Sequence, residues 1–509
     1  MENFDWRRYL LFLAIAFGVF MAYDYFFMSK QAPQATGEQA QVANGSARAP
    51  KTNIQPVSTA ADVNLYLGSW REKHQPQHII TLDFTDAVVK ISEEGAKIVS
   101  FYDKRFKKDL IEDYERAYNI YPLEILTPDF NTVKVIDFER YQCKKENPQT
   151  LVCSLKTQNL QVEKVFHFTE GGYIDNVKIS LKGVEDPYLY LGMTPKENPF
   201  YTHIGPIFKT SDGQVIRINI EEIHSPQTLH GDFIWSGQEG RYFLKAAKYN
   251  TNTAVLFKVS YLENGETKYT SATAIKIQPD ADITYFVGPK EYELLKKLDF
   301  VEAIDFGMLS FIAYPLFLVL YFFYKLTHSW VAAIFILTLL IRIIFFPLSI
   351  TSTRSMKKMQ ELAPKLEELR KKYADDPQKL QQEMLKLYKD VGFNPASGCL
   401  PILVQIPIFF ALYKVLVVTP DLALEGFLWI PSLAEKDPYY ILPVLMGLTM
   451  IAQTMITPTP NKQQNFMMYL MAAVFTLLFA TFPAGLVLYW TLNNIFNIIQ
   501  TWIIYKYLS

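Results

Sequence analysis

The 509-residue chain lacks several motifs on which metal or nucleotide chemistry depends. Its seven histidines are scattered, with no HExxH and no paired-ligand spacing, so a metal site is not expected. It contains no GxxxxGK loop followed by Ser or Thr, which excludes nucleotide hydrolysis of the P-loop type. These absences predict no metal or nucleotide cofactor. Neither an enzymatic activity nor nucleic-acid binding is expected of the chain.

Acidic residues and histidine are missing from four late apolar runs, which are residues 400–418, 439–457, 466–482 and 486–505. A fifth run, residues 330–350, has a single charge, Arg342, near its middle. An arginine at that depth of a membrane-spanning helix costs roughly 2.5–3.5 kcal/mol and is normally matched by a carboxylate. Because these runs offer no acidic partner, the sequence favours a water-filled hollow around Arg342. The alternative is that Arg342 only snorkels or bonds backbone carbonyls.

The same absence limits the classes of transport protein that fit. A proton-coupled transporter needs a titratable residue in the membrane, and Arg342 aside the late runs have only Lys414, near one end. A selective channel needs rings of charge or a filter loop, and neither is visible. The runs do contain uncharged polar residues, namely Thr338, Gln405, Gln453, Thr454, Asn493, Asn494 and Gln500. Helix packing explains most of these individually, but several facing Arg342 would form a hydrophilic groove. A small-solute transporter or channel using the same hollow is the alternative function.

Cysteine is scarce, with three in the chain. Cys143 and Cys153 flank KKENPQTLV, a plausible hairpin turn. They could form a disulfide if this region lies outside the cytoplasm. Two buried free thiols are the alternative.

The first 56 residues predict an anchor and a linker. Arg7 and Arg8 precede about twenty mostly apolar residues, which is longer than the apolar region of a cleaved signal peptide. Residues 1–28 therefore predict a retained transmembrane signal anchor whose N-terminus is cytoplasmic by the positive-inside rule. Residues 29–56, rich in Gln, Ala, Pro and Gly, predict a flexible periplasmic linker.

Residues 57–290 predict a large antiparallel β-sandwich domain. Seven segments alternate apolar and polar residues, and turn signals such as Glu170-Gly171-Gly172 and Glu263-Asn264-Gly265 separate strands. The segments are HIITLDFTDAVVKI, TVKVIDFERY, NLQVEKVFHF, YIDNVKISLKG, QVIRINIEEI, TAVLFKVSYL and TSATAIKIQP. The carboxylates and aromatics of this domain could line a sugar-binding groove, which makes a sugar-binding or sugar-modifying module a second alternative.

Residues 291–328 predict an amphipathic or interfacial helical segment. This prediction rests on the distribution of charge in the later loops. Residues 351–398 carry ten Lys and Arg against seven Asp and Glu and should be cytoplasmic. The loop at residues 419–438 has four acidic residues against Lys436 and should lie outside. Both assignments hold only if residues 306–324 lie at the outer interface or dip into the membrane, broken at Tyr314-Pro315. Residues 329–509 then form a five-span core, with both chain termini cytoplasmic.

Residues 351–398 predict an antiparallel helical hairpin in the cytoplasm. Met356, Met359 and Met384 recur with leucines at helical spacing, and Asp376 is expected to cap a second helix that starts at Pro377. The apolar stripe could be the seam between the two helices. Methionines on such a stripe also suit the capture of varied apolar segments.

The motifs of the last third resemble those of YidC-type membrane protein insertases of Gram-negative bacteria, members of the YidC/Oxa/Alb superfamily. The resemblance rests on TLLIRIIFFPL around Arg342, the basic hairpin, and three later motifs, NPASGCLPILVQIPIFFALY, DPYYILPVLMGLTM and FPAGLVLYWTLNNIFNIIQ. It implies insertion of nascent membrane proteins into the inner membrane, alone or beside the Sec translocon. It also implies a periplasmic β-supersandwich joined to a polytopic α-helical membrane core.

The resemblance implies a substrate-binding groove. Arg342 would be its arginine, Thr338 the polar neighbour, and Phe409 and Tyr489 would contact substrate. Gln405, Trp490 and Asn494 are assigned to the same groove, although Trp490 stands where family members often have a second tyrosine. The tail at residues 506–509 is short, whereas some relatives dock the ribosome through a long basic tail.

Overall fold

In the computed structural model, the described residues are 75–197, 202–223, 226–374, 376–390, 400–457 and 462–508. The predicted anchor at residues 1–28 and linker at residues 29–56 lie outside them. The chain divides into two compact units, Met1–Asp305 and Phe306–Ser509. The first contains β-sheets and the second contains long helices.

The first unit is an antiparallel β-supersandwich, as predicted. A four-stranded sheet has the order β1-β2-β3-β4, and a twelve-stranded sheet has the main order β12-β11-β13-β14-β16-β9-β8-β7-β6, with β15, β10 and β5 branching from β14. The strands are β1 (Ile79–Asp83), β2 (Ala87–Ser92), β3 (Lys97–Asp103), β4 (Lys108–Asp109), β5 (Ile125–Leu126), β6 (Gln142–Asn147), β7 (Thr150–Lys156), β8 (Gln161–Phe168), β9 (Ile174–Lys182), β10 (Tyr188–Met193), β11 (Gly205–Thr210), β12 (Val215–Arg217), β13 (Gln227–Glu239), β14 (Phe243–Glu263), β15 (Glu266–Lys276) and β16 (Asp280–Pro289). The short helices are α1 (Asp113–Tyr118), α2 (Phe130–Phe138) and α3 (Tyr292–Leu298).

The long strand β14 allows the large sheet to branch. Its first part pairs with β16, from Phe243 to Lys248, and its last part pairs with β15, from Ala254 to Glu263. The hairpin between β14 and β15 turns at Asn264 and Gly265, which both have positive φ, as a tight hairpin turn requires. This turn was predicted from the sequence.

The alternation of apolar and polar residues explains most of these strands, but it gave a wrong prediction for two segments. Residues 132–141 were expected to form a strand, yet they lie largely in α2. The Asp129 carboxylate accepts hydrogen bonds from the backbone N–H groups of Asn131 and Thr132 and so starts this helix. Val133 and Ile136 are buried at helical spacing. Of residues 214–223, only β12 is a strand, and a short 3-10 turn at Ile220–Glu222 follows it.

Cys143 and Cys153 form a disulfide. They lie directly opposite each other on the antiparallel pair β6 and β7. The alternative of two free thiols is therefore wrong.

The structure divides the predicted segment at residues 291–328 between the two units. Its first part, α3 and the short turn Val301–Ala303, packs on the β unit. Leu295 and Phe300 are fully buried there, and the ring of Phe300 meets that of Trp235 edge-on at 5.6 Å. The β unit thus extends to Asp305.

The second unit contains nine long helices in its described residues. They are α4 (Ser310–Thr327), α5 (Trp330–Ile344), α6 (Phe346–Glu361), α7 (Ala363–Lys372), α8 (Pro377–Asp390), α9 (Leu400–Val418), α10 (Ile441–Ile456), α11 (Lys462–Phe479) and α12 (Ala484–Ile503). Helix α12 contacts α5, α9 and α10, and α4 contacts α5 and α9.

Helix α4 runs without interruption through Pro315, so the predicted break at Tyr314-Pro315 is wrong. Pro315 lies near the start of α4, where its missing N–H removes one intrahelical hydrogen bond. Among the described residues, Gly307–Thr327 is the one unbent helix long and apolar enough to cross a membrane by length and composition. Its interfacial position stays a prediction.

The predicted span at residues 330–350 is not one helix. Helix α5 ends at Ile344 and α6 begins at Phe346, with a bend of 63° between them. Pro347 lies in the first turn of α6 and has no N–H with which to continue the ladder of α5. The bend separates α5, which carries Arg342, from the hairpin that follows.

The loop at residues 419–438 caps the N-termini of three helices. The Glu425 carboxylate accepts hydrogen bonds from the backbone N–H groups of Trp330 and Val331 at the start of α5. Asp437 accepts from the Leu442 N–H at the start of α10. At the start of α12, the Ala484 N–H donates to a backbone carbonyl of the same loop. The loop therefore satisfies backbone donors that a helix start leaves unpaired.

Candidate functional site

Arg342 is bonded to one face of α12. Its Nε donates to Asn493 Oδ1 at 3.0 Å, and its Nη2 donates to the Asn493 carbonyl oxygen at 2.9 Å. Its Nη1 donates to Asn497 Oδ1 at 3.1 Å. Asn493 and Asn497 are four residues apart on α12, so their side chains share a face of the helix. Two amides and one backbone carbonyl thus hold the guanidinium.

No carboxylate lies within salt-bridge distance of Arg342 among the residues that the structure describes. In this unit, the described acidic residues lie between the start of α6 and the end of α8 or in the loop at residues 419–438. Arg342 is partly buried, so it retains some contact with solvent. The positive charge is therefore held by neutral groups rather than by a counter-ion.

Two N–H donors of the guanidinium have no partner among the described residues. Arginine carries five N–H donors, and the described contacts of Arg342 use three of them. One N–H on each terminal nitrogen is left. Such donors are available to a carboxylate, which arginine often binds through paired hydrogen bonds.

Thr338 and Gln405 lie near the site, but their side chains form hydrogen bonds with residues other than Arg342. Thr338 is 1% exposed, and its hydroxyl donates to the Ile334 carbonyl of its own helix at 2.6 Å. Gln405 Nε2 donates to the hydroxyl of Tyr489 at 2.5 Å, and Tyr489 is fully buried. Gln405 and Tyr489 therefore connect α9 to α12.

Asn494 points away from Arg342. Its Nδ2 donates to the Thr449 hydroxyl on α10 at 3.0 Å. The amides that hold Arg342 belong to Asn493 and Asn497, neither of which was among the predicted site residues. Asn493 was noted only as one of several polar residues, and Asn497 was missed. Their spacing on an apolar helix was the signal that could have identified them.

Gln500 continues the same face of α12 beyond Asn497. It is 6% exposed, and neither atom of its side-chain amide has a hydrogen-bond partner among the described residues. Buried amides are rarely left unpaired in folded proteins. Gln500 therefore adds a further uncharged polar side chain to this face of α12.

Phe409 and Trp490 belong to an aromatic cluster. Their rings meet edge-on with centroids 4.8 Å apart. Phe475 and Phe479 on α11 contact the Trp490 ring. Phe409 and Trp490 are each half-buried. The cluster gives the neighbourhood of Tyr489 an apolar surface that remains partly accessible.

The hairpin helices are present, with a kink at Leu362 between α6 and α7. Helix α8 begins at Pro377, and Asp376 accepts a hydrogen bond from the Lys379 N–H, as predicted. Met356, Met359 and Met384 are half-buried. Leu366 is buried and α7 contacts α8, so part of the apolar stripe is the seam between helices.

Two family models match the chain. Residues 79–319 match the model described as YidC periplasmic domain, and residues 322–509 match the model described as 60Kd inner membrane protein. Among solved structures, an active YidC insertase with its first transmembrane domain resolved is similar over 88% of this chain and 97% of that chain, at 18% identity and a TM-score of 0.41.

Two relatives match over nearly their whole length. The membrane protein insertase YidC of Aquifex aeolicus (strain VF5) is 41% identical over 99% of this chain and 96% of its own. That of Magnetococcus marinus is 33% identical, with 98% of each chain covered. The chain therefore belongs to the YidC family of membrane protein insertases, a family of inner membrane proteins with a periplasmic domain.

Proposed function

We propose that this protein inserts nascent proteins into the inner membrane and acts as their chaperone. It receives hydrophobic segments in a hydrophilic groove that opens to the cytoplasm and contains Arg342, and it releases them sideways into lipid. The observation that carries this proposal is that the described contacts of the Arg342 guanidinium are all with neutral groups.

The groove lowers the cost of moving a short polar stretch into the membrane. An acidic residue in that stretch meets a positive charge with two N–H donors to spare, and charge-assisted hydrogen bonds are the strong ones. The apolar neighbours of the stretch then leave sideways for lipid, because water disfavours their exposure. No covalent bond is made or broken, in keeping with a family that is not one of enzymes.

The aromatic cluster supports a place for the apolar part of a client. Phe409 and Trp490 are half-buried on neighbouring helices, so a hydrophobic segment can contact both. Tyr489 is fully buried. We therefore assign Tyr489 to the support of the groove, bonded to Gln405, rather than to direct contact.

The proposed topology is multi-pass, with both termini in the cytoplasm and the β unit in the periplasm. The disulfide between Cys143 and Cys153 supports a location outside the cytoplasm for the β unit, since disulfides persist in oxidising compartments.

The proposed partners are nascent membrane proteins, the phospholipid bilayer and the Sec translocon, with the ribosome as a further candidate. The half-buried methionines of the hairpin, Met356, Met359 and Met384, would make early contact with apolar segments, because methionine adapts to varied shapes.

Site-specific photocrosslinking to a nascent single-span protein with an acidic N-terminal tail tests the groove. We expect adducts from probes at Phe409 and Trp490. Leu477 is the control, since it lies on α11, is 76% exposed and should give few adducts. Equal labelling at all three positions would refute a defined groove.

Reconstituted vesicles separate this proposal from solute transport. Arg342→Ala should reduce insertion of the acidic client. A solute flux that Arg342→Ala leaves intact, with insertion also unchanged, would favour the small-solute alternative.

A further inference from the structure

The polar face of α12 is neutral where an acidic residue would fit. The Oδ1 atoms of Asn493 and Asn497 accept hydrogen bonds from the guanidinium of Arg342, at 3.0 Å from Nε and 3.1 Å from Nη1 respectively. Aspartate has nearly the same shape as asparagine and would place a carboxylate oxygen at the same point. That carboxylate would be a counter-ion, and the positive charge would no longer be available to a client.

The two asparagines also fix the direction of the guanidinium. The Asn493 side-chain oxygen accepts from Nε, and its backbone carbonyl oxygen accepts from Nη2. The Asn497 side-chain oxygen accepts from Nη1. Arginine side chains have several freely rotating bonds, and these contacts restrict them before a client arrives. The remaining N–H on each terminal nitrogen is thereby held in one place.

We propose that Asn493 and Asn497 are positioning residues that determine client specificity. They hold Arg342 without neutralising it, so the groove prefers clients with a carboxylate in the polar stretch that enters it. The inference rests on the proposed insertase function and adds to it the residues that set the preference.

The test compares two clients and four variants in proteoliposomes. The clients are single-span proteins that differ only in a short N-terminal tail, which carries either two aspartates or two asparagines. The variants are Asn493→Asp, Asn497→Asp, Asn494→Asp and Arg342→Ala. The quantity measured is the rate of insertion of the acidic client divided by that of the neutral client.

Asn493→Asp and Asn497→Asp should each lower this ratio about tenfold, because a charge-assisted contact to the client is lost. The insertion of the neutral client should fall by a smaller factor than that of the acidic client. The melting temperature of each variant in detergent reports whether it is folded. A loss of structure alone would lower both rates and leave the ratio unchanged.

Asn494→Asp is the matched control. It introduces the same charge on the same helix, one residue along, but its side chain meets Thr449 on α10 instead of Arg342. The ratio should therefore be unchanged in this variant.

The outcomes separate the inference from the function on which it rests. If Arg342→Ala leaves the ratio unchanged, the proposed role of Arg342 is wrong. If Arg342→Ala lowers the ratio while both Asn493→Asp and Asn497→Asp preserve it, the asparagines do not set the preference and this inference is overturned. An equal fall in Asn494→Asp would also overturn it, since charge anywhere on α12 would then suffice.

Discussion

Buried cations are treated differently in the two units of the molecule. In the β unit, Lys97 pairs with Glu124 at 2.9 Å and Lys245 with Glu115 at 2.6 Å, with all four side chains buried. In the helical unit, the described contacts of Arg342 are with amides and one carbonyl. The β unit neutralises its internal charges, whereas the helical unit retains one.

Lys164 is the nearest counterpart to Arg342 in the β unit. It is fully buried in β8, and its Nζ donates to three backbone carbonyls, those of Gly95, Ala96 and Leu123. Burial lowers the pKa of Lys164 to about 8, although nearby carboxylates, of which Asp137 acts most strongly, partly oppose this. Even this lysine has acidic groups close by. The comparison indicates that the buried charges of the β unit stabilise its fold through ion pairs. The charge of Arg342, in contrast, is available to bind a client.

The largest effect is expected at the buried cluster around Glu239. Its carboxylate meets Arg217 Nε at 2.6 Å, His203 Nδ1 at 2.8 Å and Lys290 Nζ at 3.6 Å. Glu239→Gln leaves Arg217 and Lys290 without this anion and should destabilise the β unit by about 3–5 kcal/mol, as breaking buried ion pairs does. Hydrogen exchange of β13 in the full chain measures this. Glu266→Gln, at an exposed position, is the control and should change stability by less than about 0.5 kcal/mol. An equal effect of the two variants would contradict the neutralisation described for this unit.

The same cluster predicts a dependence on pH. Burial opposes ionisation of Glu239, but Arg217, Lys290 and His203 outweigh it and lower its pKa from 4.5 to about 2. The ionised form is therefore favoured by folding. The stabilisation should be fully present above pH 4.5 and should be lost as the pH falls from 4.5 towards 2. Glu239→Gln should remove this part of the acid sensitivity, and an unchanged acid profile would count against the cluster.

A smaller effect is expected at Glu425, an acidic residue of the helical unit that serves a helix start rather than Arg342. Its carboxylate accepts from the Ser329 hydroxyl and from the first N–H groups of α5. Glu425→Gln removes the negative charge from this helix start and should cost about 0.5–2 kcal/mol, seen as a lower melting temperature in detergent. Glu435→Gln is the matched control, because that side chain is exposed in the same loop. If both variants melt at the same temperature, Glu425 is not an effective cap.

The sequence predicted the β class correctly because inward and outward residues alternate along strands such as β8. It failed at α2, where a local cap at Asp129 outweighed a β-like pattern. The acidic residues of the loop at residues 419–438 were interpreted only as topology signals, whereas Glu425 and Asp437 cap helices that are distant in sequence. Such contacts depend on tertiary packing and cannot be predicted from local sequence patterns.

At the site, the sequence identified the arginine but not all of its partners. A lone charge in an apolar run is a strong signal, so Arg342 was found. Asn494 and Asn493 are adjacent, and only the rotation of α12 about its axis decides which one faces α5. That rotation follows from packing against four helices, α5, α6, α9 and α10, which the sequence does not specify.

The most direct test of the central claim compares Arg342→Lys with Arg342→Gln on the acidic client. Lysine keeps the positive charge, and glutamine keeps much of the length without the charge. Charged hydrogen bonds contribute about 1.5–3 kcal/mol, so Arg342→Gln should slow insertion of this client about ten- to hundredfold. Arg342→Lys should slow it by a smaller factor, because lysine keeps the positive charge but loses the paired N–H donors of the guanidinium. Both variants should slow the neutral client less than the acidic one. Equal losses in the two variants would show that the shape of the side chain matters and its charge does not, which would contradict this account.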